Sequence, residues 1–332
     1  MLLNKNIKIF LNYFLGPVLF VWLSFSIYQQ IINQPHLARS WKSIQTVLTG
    51  EQWWKFAVIL LLMWVNWGVE ARKWQVLMKP VQRISWLRAF KATLTGVAFA
   101  LNTPNRIGEY GGRVLYIREG NRLKAISLTL VGSMSQFLVT MIVGCGGLVF
   151  LLNLPEAATS VINSRSYRFW IGLLLNIIAI FSIAGLLIYF RLGWLIRLVD
   201  RMPAFKKLTP HIEVLESLNT GLLLRLCSLS LTRYIVFVVQ YVLMIQLLEV
   251  DIGSWPAFWL VTVMFLILAI VPTIALAELG LRGQVSIELF GIFSGNKLAI
   301  TAAAAGIWVI NLILPALIGS LLILSIKIFR SR

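Results

Sequence analysis

The chain has 332 residues, 59% hydrophobic and only 13% charged, with 30 Lys+Arg against 12 Asp+Glu and a formal net charge of +18. Soluble domains average about 45–50% apolar and about 25% charged residues, and disorder needs low hydrophobicity with high charge, so both classes are excluded. With a mean hydropathy of +0.84, this is the composition of a polytopic helical membrane protein.

Cysteine and histidine narrow the chemistry. Cys145 and Cys227 lie in apolar stretches without CxxC spacing, and His36 and His211 stand alone in polar connections. Neither a disulfide framework nor a metal cluster is expected, and no cofactor is called for. A pI of about 10.4 could suggest nucleic acid. Here, however, the cations cluster at the ends of apolar runs, and no basic stripe is interleaved with aromatics. The positive-inside rule and anionic headgroups account for that placement better. Membrane lipids are the expected partners, nucleic acid is not, and homo-oligomerisation is left open.

Taken in chain order, the first apolar run covers about Ile9 to Tyr28. It is longer than a signal-peptide core, and no small-residue cleavage site follows it, so it reads as a retained helix. A second run, about Trp53 to Val69, ends in Glu70-Ala-Arg72-Lys73-Trp74, which reads as an interfacial ending. A basic connection through Lys79, Arg83, Arg88 and Lys91 leads to a short apolar piece, about Ala92 to Leu101. That piece is too short to cross about 30 Å of hydrocarbon, and it breaks at Asn102-Thr-Pro-Asn-Arg-Ile-Gly-Glu-Tyr-Gly-Gly-Arg113. Spans follow at about 125–152, 169–190 and 229–248, the last preceded by a long basic connection over 191–225. A run from Trp255 to Val271 breaks at Pro272, and a short apolar piece covers about 285–293. The last span is about Ala302 to Ile326.

The N-terminus, the 70–91 and 191–225 connections and the C-terminus are basic, which puts all four on the cytoplasmic side of the plasma (inner) membrane. The 29–52, 153–168 and 249–251 connections then face out. This ledger closes only if segments 88–124 and 256–300 each return to the side they left. The expected fold is therefore all-α, with about six full transmembrane helices and two broken or re-entrant hairpins. Broken segments entering from opposite faces are the sign of an inverted repeat with a site near the midplane. The chain reads as one transmembrane domain, residues 1–332, with halves of about 1–165 and 166–332 and no soluble catalytic domain.

Intramembrane charge costs about 2.5–3.5 kcal/mol per group at a helix centre, yet the first break contains Arg106, Glu109 and Arg113. Thr103-Pro104 has the order of an N-cap and first helical residue, so a helix is predicted to start there. On that helix Arg106, Glu109 and Arg113 would share one face, and its N-terminus with Arg106 would form a phosphate cradle. Gly108, Gly111 and Gly112 would allow close packing. The alternative is a structural Glu109–Arg113 ion pair at the interface. The second break repeats the ingredients with Pro272, Glu278, Gly280 and Arg282. In an inverted repeat the two Glu–Arg pairs should meet, giving a net positive cluster suited to an anionic headgroup. The alternative there is two separate local salt bridges.

These residues carry a family resemblance. Arg72-Lys73-Trp74, then Thr103-Pro104-Asn105-Arg106-Ile107-Gly108-Glu109, then Pro272 and Gly280-Leu281-Arg282, resemble the transmembrane domain of lysylphosphatidylglycerol synthases and related flippase-like proteins over roughly residues 8 to 326. The family pattern has a late Gly-x-Gly-x-Arg-Glu. Here Gly283 follows Arg282, and the acid sits earlier, at Glu278. The resemblance implies moving an anionic phospholipid, an aminoacylated lipid or a polyprenyl-phosphate-type lipid between leaflets, without catalytic residues. No Walker A loop is present. Two rivals stand beside transport. One is a membrane-embedded transferase using Glu109 or Glu278 as general base; the other is a membrane partner for a soluble lipid-modifying enzyme.

Overall fold

The computed structural model describes residues 50–101, 103, 106–154, 165–200, 209–271 and 275–324, with Val21 and Phe25. Apart from Val21 and Phe25, the run from Ile9 to Tyr28 lies outside the described residues, as do Pro104, Pro272 and both termini. Helix α1 is Trp53–Leu77, α2 Trp86–Ala100, α3 Gly108–Val114 and α4 Arg122–Leu152. The second half contributes α5 Arg165–Phe190, α6 Leu192–Asp200, α7 Thr209–Ile212 and α8 Thr220–Leu247. It ends with α9 Ser254–Ile270, α10 Ala275–Phe290, α11 Lys297–Trp308 and α12 Leu314–Ile323. No strand occurs among the described residues.

Among the described residues, five stretches are long and apolar enough to cross a membrane: Trp53–Leu77, Glu119–Leu152, Ser166–Phe190, Thr220–Leu247 and Lys297–Ile323. The chain is an all-α, multi-pass membrane protein. Helices α2, α9 and α10 have 15, 17 and 16 residues. At about 1.5 Å per residue each falls short of about 30 Å, so these are the broken segments.

Local sequence fixes several starts. Ser85 caps α2 by accepting from Arg88 N at 3.3 Å, Asn219 caps α8 from Leu222 N at 2.8 Å, and Asn296 caps α11 from Ala299 N at 3.1 Å. Pro315 sits in the first turn of α12, and the π-helical turn Val309–Ile313 precedes it. A proline without an N–H cannot continue the ladder behind it, which accounts for the irregular turn there.

The first hairpin returns to the side it left. Arg118 N donates to Gln82 Oε1 at 3.1 Å, and Asn121 Nδ2 to the Val81 carbonyl at 3.3 Å, so the exit of α1 and the entry of α4 adjoin. The same end gathers a buried cluster that includes Trp74, Met78, Leu128, Tyr189, Leu192 and Leu226. The 78–91 connection and the described ends of the 191–219 connection, Leu192 with Val214, Leu215 and Leu218, therefore share one end of the bundle. At the other end, Phe150 of α4 stacks on Trp259 of α9 with ring centroids 6.4 Å apart.

Packing between the halves is reciprocal. Helix α1 lies along α8, α2 packs on α12, and α9 packs on α4. Matching α1, α2, α3 and α4 with α8, α9, α10 and the α11–α12 pair maps each of these contacts onto another. Small residues make the approaches close. A Cβ on Gly319 of α12 would lie 2.0 Å from the Leu94 carbonyl of α2, and one on Gly112 of α3 would lie 2.7 Å from Gly96 Cα.

Two sequence boundaries are corrected. Helix α1 continues through Leu77, not Val69, because the turn carrying Glu70 and Lys73 is packed inside the bundle and its charges neutralise each other. Helix α8 begins at Thr220, nine residues before the apolar run, since Asn219 supplies a cap and Leu223 and Leu226 are buried in the cluster around Trp74 and Tyr189.

Candidate functional site

The first break is built from its backbone outward. Arg106 has φ of 60°, a left-handed value costly for any residue with a Cβ, so a continuous helix through it is excluded. The predicted helix start at Pro104 is therefore displaced to Gly108. Ile107, not Thr103, is the N-cap residue, but Thr103 braces the helix start from outside: its Oγ1 accepts from Gly108 N at 2.7 Å and donates to the Ala100 carbonyl of α2 at 3.3 Å. One hydroxyl thus ties the end of α2 to the start of α3. A Cβ at Gly108 would lie 2.3 Å from the Phe99 carbonyl, so only glycine fits beside this junction. Gly111, by contrast, faces open space, with nothing within 4 Å of where its Cβ would be.

Because Arg106 lies outside the helix, it does not share a face with Glu109 and Arg113. Those two form the expected pair on α3, and Arg113 reaches into the bundle to Glu70 of α1 while Glu109 stays partly exposed. Glu70 Oε1 accepts from Arg113 Nη2 at 2.9 Å, while its Oε2 meets Lys73 Nζ at 2.8 Å and Arg233 Nη1 at 3.2 Å. Glu70, Lys73 and Arg113 are 4%, 2% and 3% exposed, so this is a buried network around one carboxylate. Lys73, placed by sequence in a polar connection, belongs to it.

Polar neighbours complete the network. Lys73 Nζ donates to Ser230 Oγ at 3.4 Å, and Ser230 pairs with Ser135 at 2.8 Å. Arg233 Nε donates to Asn66 Oδ1 at 3.0 Å, and its guanidinium carbon sits 5.1 Å from the centre of the Trp67 ring. Asn66 Nδ2 donates to Asn311 Oδ1 at 3.4 Å, reaching the π-helical turn before α12. Sequence reasoning missed Arg233, Asn66 and Glu70. For Arg233 the signal was present: a lone cation beside an apolar run needs a partner.

The second break lies on the other side of Arg233. Arg282 Nη2 donates to Glu278 Oε1 at 2.8 Å on α10, giving the predicted pair. Glu278 and Arg282 line a cavity of about 450 Å³ together with Arg106 and Arg233. Arg106 is an electrostatic partner of Glu278 across it. Phe237, Phe265 and Leu268 form an apolar wall that continues to Ile270 and Val271 at the end of α9. Those two are 47% and 39% exposed, so the apolar wall reaches the outer surface of the bundle. A recess of about 30 Å³, lined also by Trp67, Trp308 and Asn311, shares Arg106, Arg233, Phe237, Glu278 and Arg282 with this cavity. Gly280 faces open space and makes no close packing.

Sequence reasoning placed five charged residues in one cluster. The structure brings Arg106, Glu278 and Arg282 to one cavity and holds Glu109 and Arg113 behind it. Glu70 and Arg233 join the two groups. Among the described residues no group of His, Cys, Asp and Glu is arranged to hold a metal ion. A cavity with three guanidinium groups, one carboxylate and an apolar exit can hold an anionic head and let a chain leave sideways.

No curated protein and no solved structure gives a significant match to the chain. The family model described as the lysylphosphatidylglycerol synthase TM region, whose members are membrane proteins related to lipid synthesis or flipping, matches residues 10–319. The chain belongs to that family.

Proposed function

We propose that this protein moves a lipid with an anionic headgroup between leaflets of the plasma (inner) membrane, with its basic end and both termini cytoplasmic. One observation carries the reading. The cavity joins Arg106, Arg233 and Arg282 to an apolar wall that opens to the surface at Ile270 and Val271. The guanidinium groups replace the water that a phosphate loses on entering hydrocarbon, and the apolar wall keeps the acyl chain in a lipid-like medium throughout. The basic connections at one end of the bundle support the orientation.

The test is reconstitution into vesicles holding an acyl-labelled anionic phospholipid, with chemical bleaching of the outer leaflet. Wild type should bring more than half of the label within reach of the bleach, while Arg282→Gln should be markedly slower. Bleaching that stops at half in both would overturn transport. Cysteine accessibility on a cysteine-free background checks the orientation, which external labelling at a C-terminal cysteine would reverse.

A further inference from the structure

We infer that the headgroup received by this cavity is a terminal phosphate monoester, in preference to a phosphodiester or an aminoacylated headgroup; this rests on the lipid-transport reading above. The first argument is charge. The cavity and the network behind it hold Lys73, Arg106, Arg113, Arg233 and Arg282 against Glu70, Glu109 and Glu278. Five cations and three carboxylates leave two positive charges uncompensated. A phosphodiester brings one negative charge, and an aminoacylated headgroup brings added ammonium charge to a site already positive. A monoester brings about 1.5 to 2 negative charges at pH 7, which matches.

The second argument is hydrogen bonding. Arg282 is 7% exposed, and its Nε and Nη1 have no partner. Tyr234 Oη, on the same cavity, and Trp67 Nε1 and Trp308 Nε1, on its recess, are also buried without a partner. All of these can donate. Among the lining residues described, Gln136 Oε1 is the partnerless acceptor, and the Glu278 carboxylate is held by Arg282. Leaving so many buried donors unmade is costly, so the walls suit a group rich in acceptors. A terminal phosphate presents three such oxygens; a diester presents two unbridged ones; an ammonium presents donors only. The apolar wall running out to Ile270 and Val271 assigns that phosphate to a lipid and not to free inorganic phosphate.

The experiment compares acyl-labelled phosphatidic acid, phosphatidylglycerol and lysyl-phosphatidylglycerol in vesicles containing the full chain. At pH 7.5 phosphatidic acid should cross about tenfold faster than phosphatidylglycerol, the effect of one added charge-assisted hydrogen bond. Its advantage should shrink between pH 7 and 5, as the second ionisation near pH 6 is lost. Arg282→Lys, which keeps the charge but loses the fork, should narrow the preference. Equal rates for the two anionic lipids, or faster movement of the lysyl lipid, would overturn the inference and leave transport standing. If no labelled lipid crosses, transport itself falls, and thermal unfolding in detergent decides the headgroup. Greater stabilisation by phosphatidic acid than by phosphatidylglycerol upholds the monoester, and equal stabilisation overturns it. Equal stabilisation by inorganic phosphate would overturn the lipid assignment.

Discussion

Glu109–Arg113 on α3 and Glu278–Arg282 on α10 have the same spacing, and each follows a break in a short hydrophobic hairpin. Their surroundings differ. The first pair is drawn inward by Glu70 and belongs to a buried network in which every charge has an opposite neighbour. The second faces a cavity, and Arg282 keeps two donor nitrogens unused. The glycines follow the same division: Gly112 leaves no room for a methyl group, whereas Gly280 has nothing around it. One ion pair thus serves as a rivet and its counterpart as a receptor. A short motif alone does not separate these roles, because the difference lies in what packs against it.

The largest effect should come from the hub of the rivet. Glu70→Gln leaves Lys73, Arg113 and Arg233 facing one another in a buried site, and removing one partner of such a group costs about 3–5 kcal/mol. Arg113→Ala should cost less, since Glu70 keeps Lys73 and Arg233 and only the partly exposed Glu109 loses its partner. Thermal unfolding in detergent measures both. A melting temperature unchanged in Glu70→Gln would show that the network contributes nothing to the fold.

Next comes the receptor. Arg282→Gln should slow lipid movement by about tenfold or more while lowering the melting temperature much less than Glu70→Gln does. The reason is exposure: Glu278, left behind, has 15% of its side chain accessible and keeps Arg106 as a neighbour. Transport and unfolding measured on the same preparations separate the two roles. Equal destabilisation by both variants would erase the distinction between the breaks.

A smaller and purely steric contrast sharpens it. Gly112→Ala places a methyl group 2.7 Å from Gly96 Cα and 2.8 Å from the Thr95 carbonyl, so α2 and α3 must part, at about 1–3 kcal/mol. Gly280→Ala meets nothing within 4 Å and should be neutral or slightly stabilising, since alanine is the better helix former. Unfolding temperatures of the two variants should move in opposite directions or differ by several degrees. Equal shifts would mean that the α2–α3 approach has slack.

Much of the fold is legible in the chain because hydrocarbon is an unforgiving solvent: runs near 20 apolar residues and breaks at Thr103 and Pro272 have few readings. Both i,i+4 pairs are legible for the same reason. The hub was hidden because Glu70 and Lys73 sit just beyond an apolar run, where a charged turn ordinarily marks the water interface. Only packing against Arg113 and Arg233, distant in sequence, shows that α1 carries this turn into the bundle. Arg106 was readable as a functional cation but not as a left-handed residue ahead of the helix, since backbone sign at a non-glycine position leaves no compositional trace.

The smallest expected effect is the most diagnostic for how the two breaks communicate. Spacing and symmetry suggest that Glu109 and Arg282 touch, in which case the double variant Glu109→Gln/Arg282→Gln should deviate strongly from additivity. The structure interposes three residues: Arg113 holds Glu109, Glu70 holds Arg113, Arg233 holds Glu70, and of these only Arg233 shares the cavity with Arg282. Coupling energy should therefore stay below about 0.5 kcal/mol for Glu109 with Arg282, as for sites without shared partners. The control cycle, Glu70→Gln with Arg233→Gln, joins groups 3.2 Å apart and should couple by about 0.5–3 kcal/mol. Here a stranded charge is worse than none, so the double variant should unfold at a higher temperature than the sum of its singles. Coupling above about 1 kcal/mol between Glu109 and Arg282 would mean that the breaks close directly on each other in a second conformation, and that the rivet opens during transport. Weak coupling there with strong coupling in the control would fix Arg233 as the residue through which the buried network holds the receptor in place.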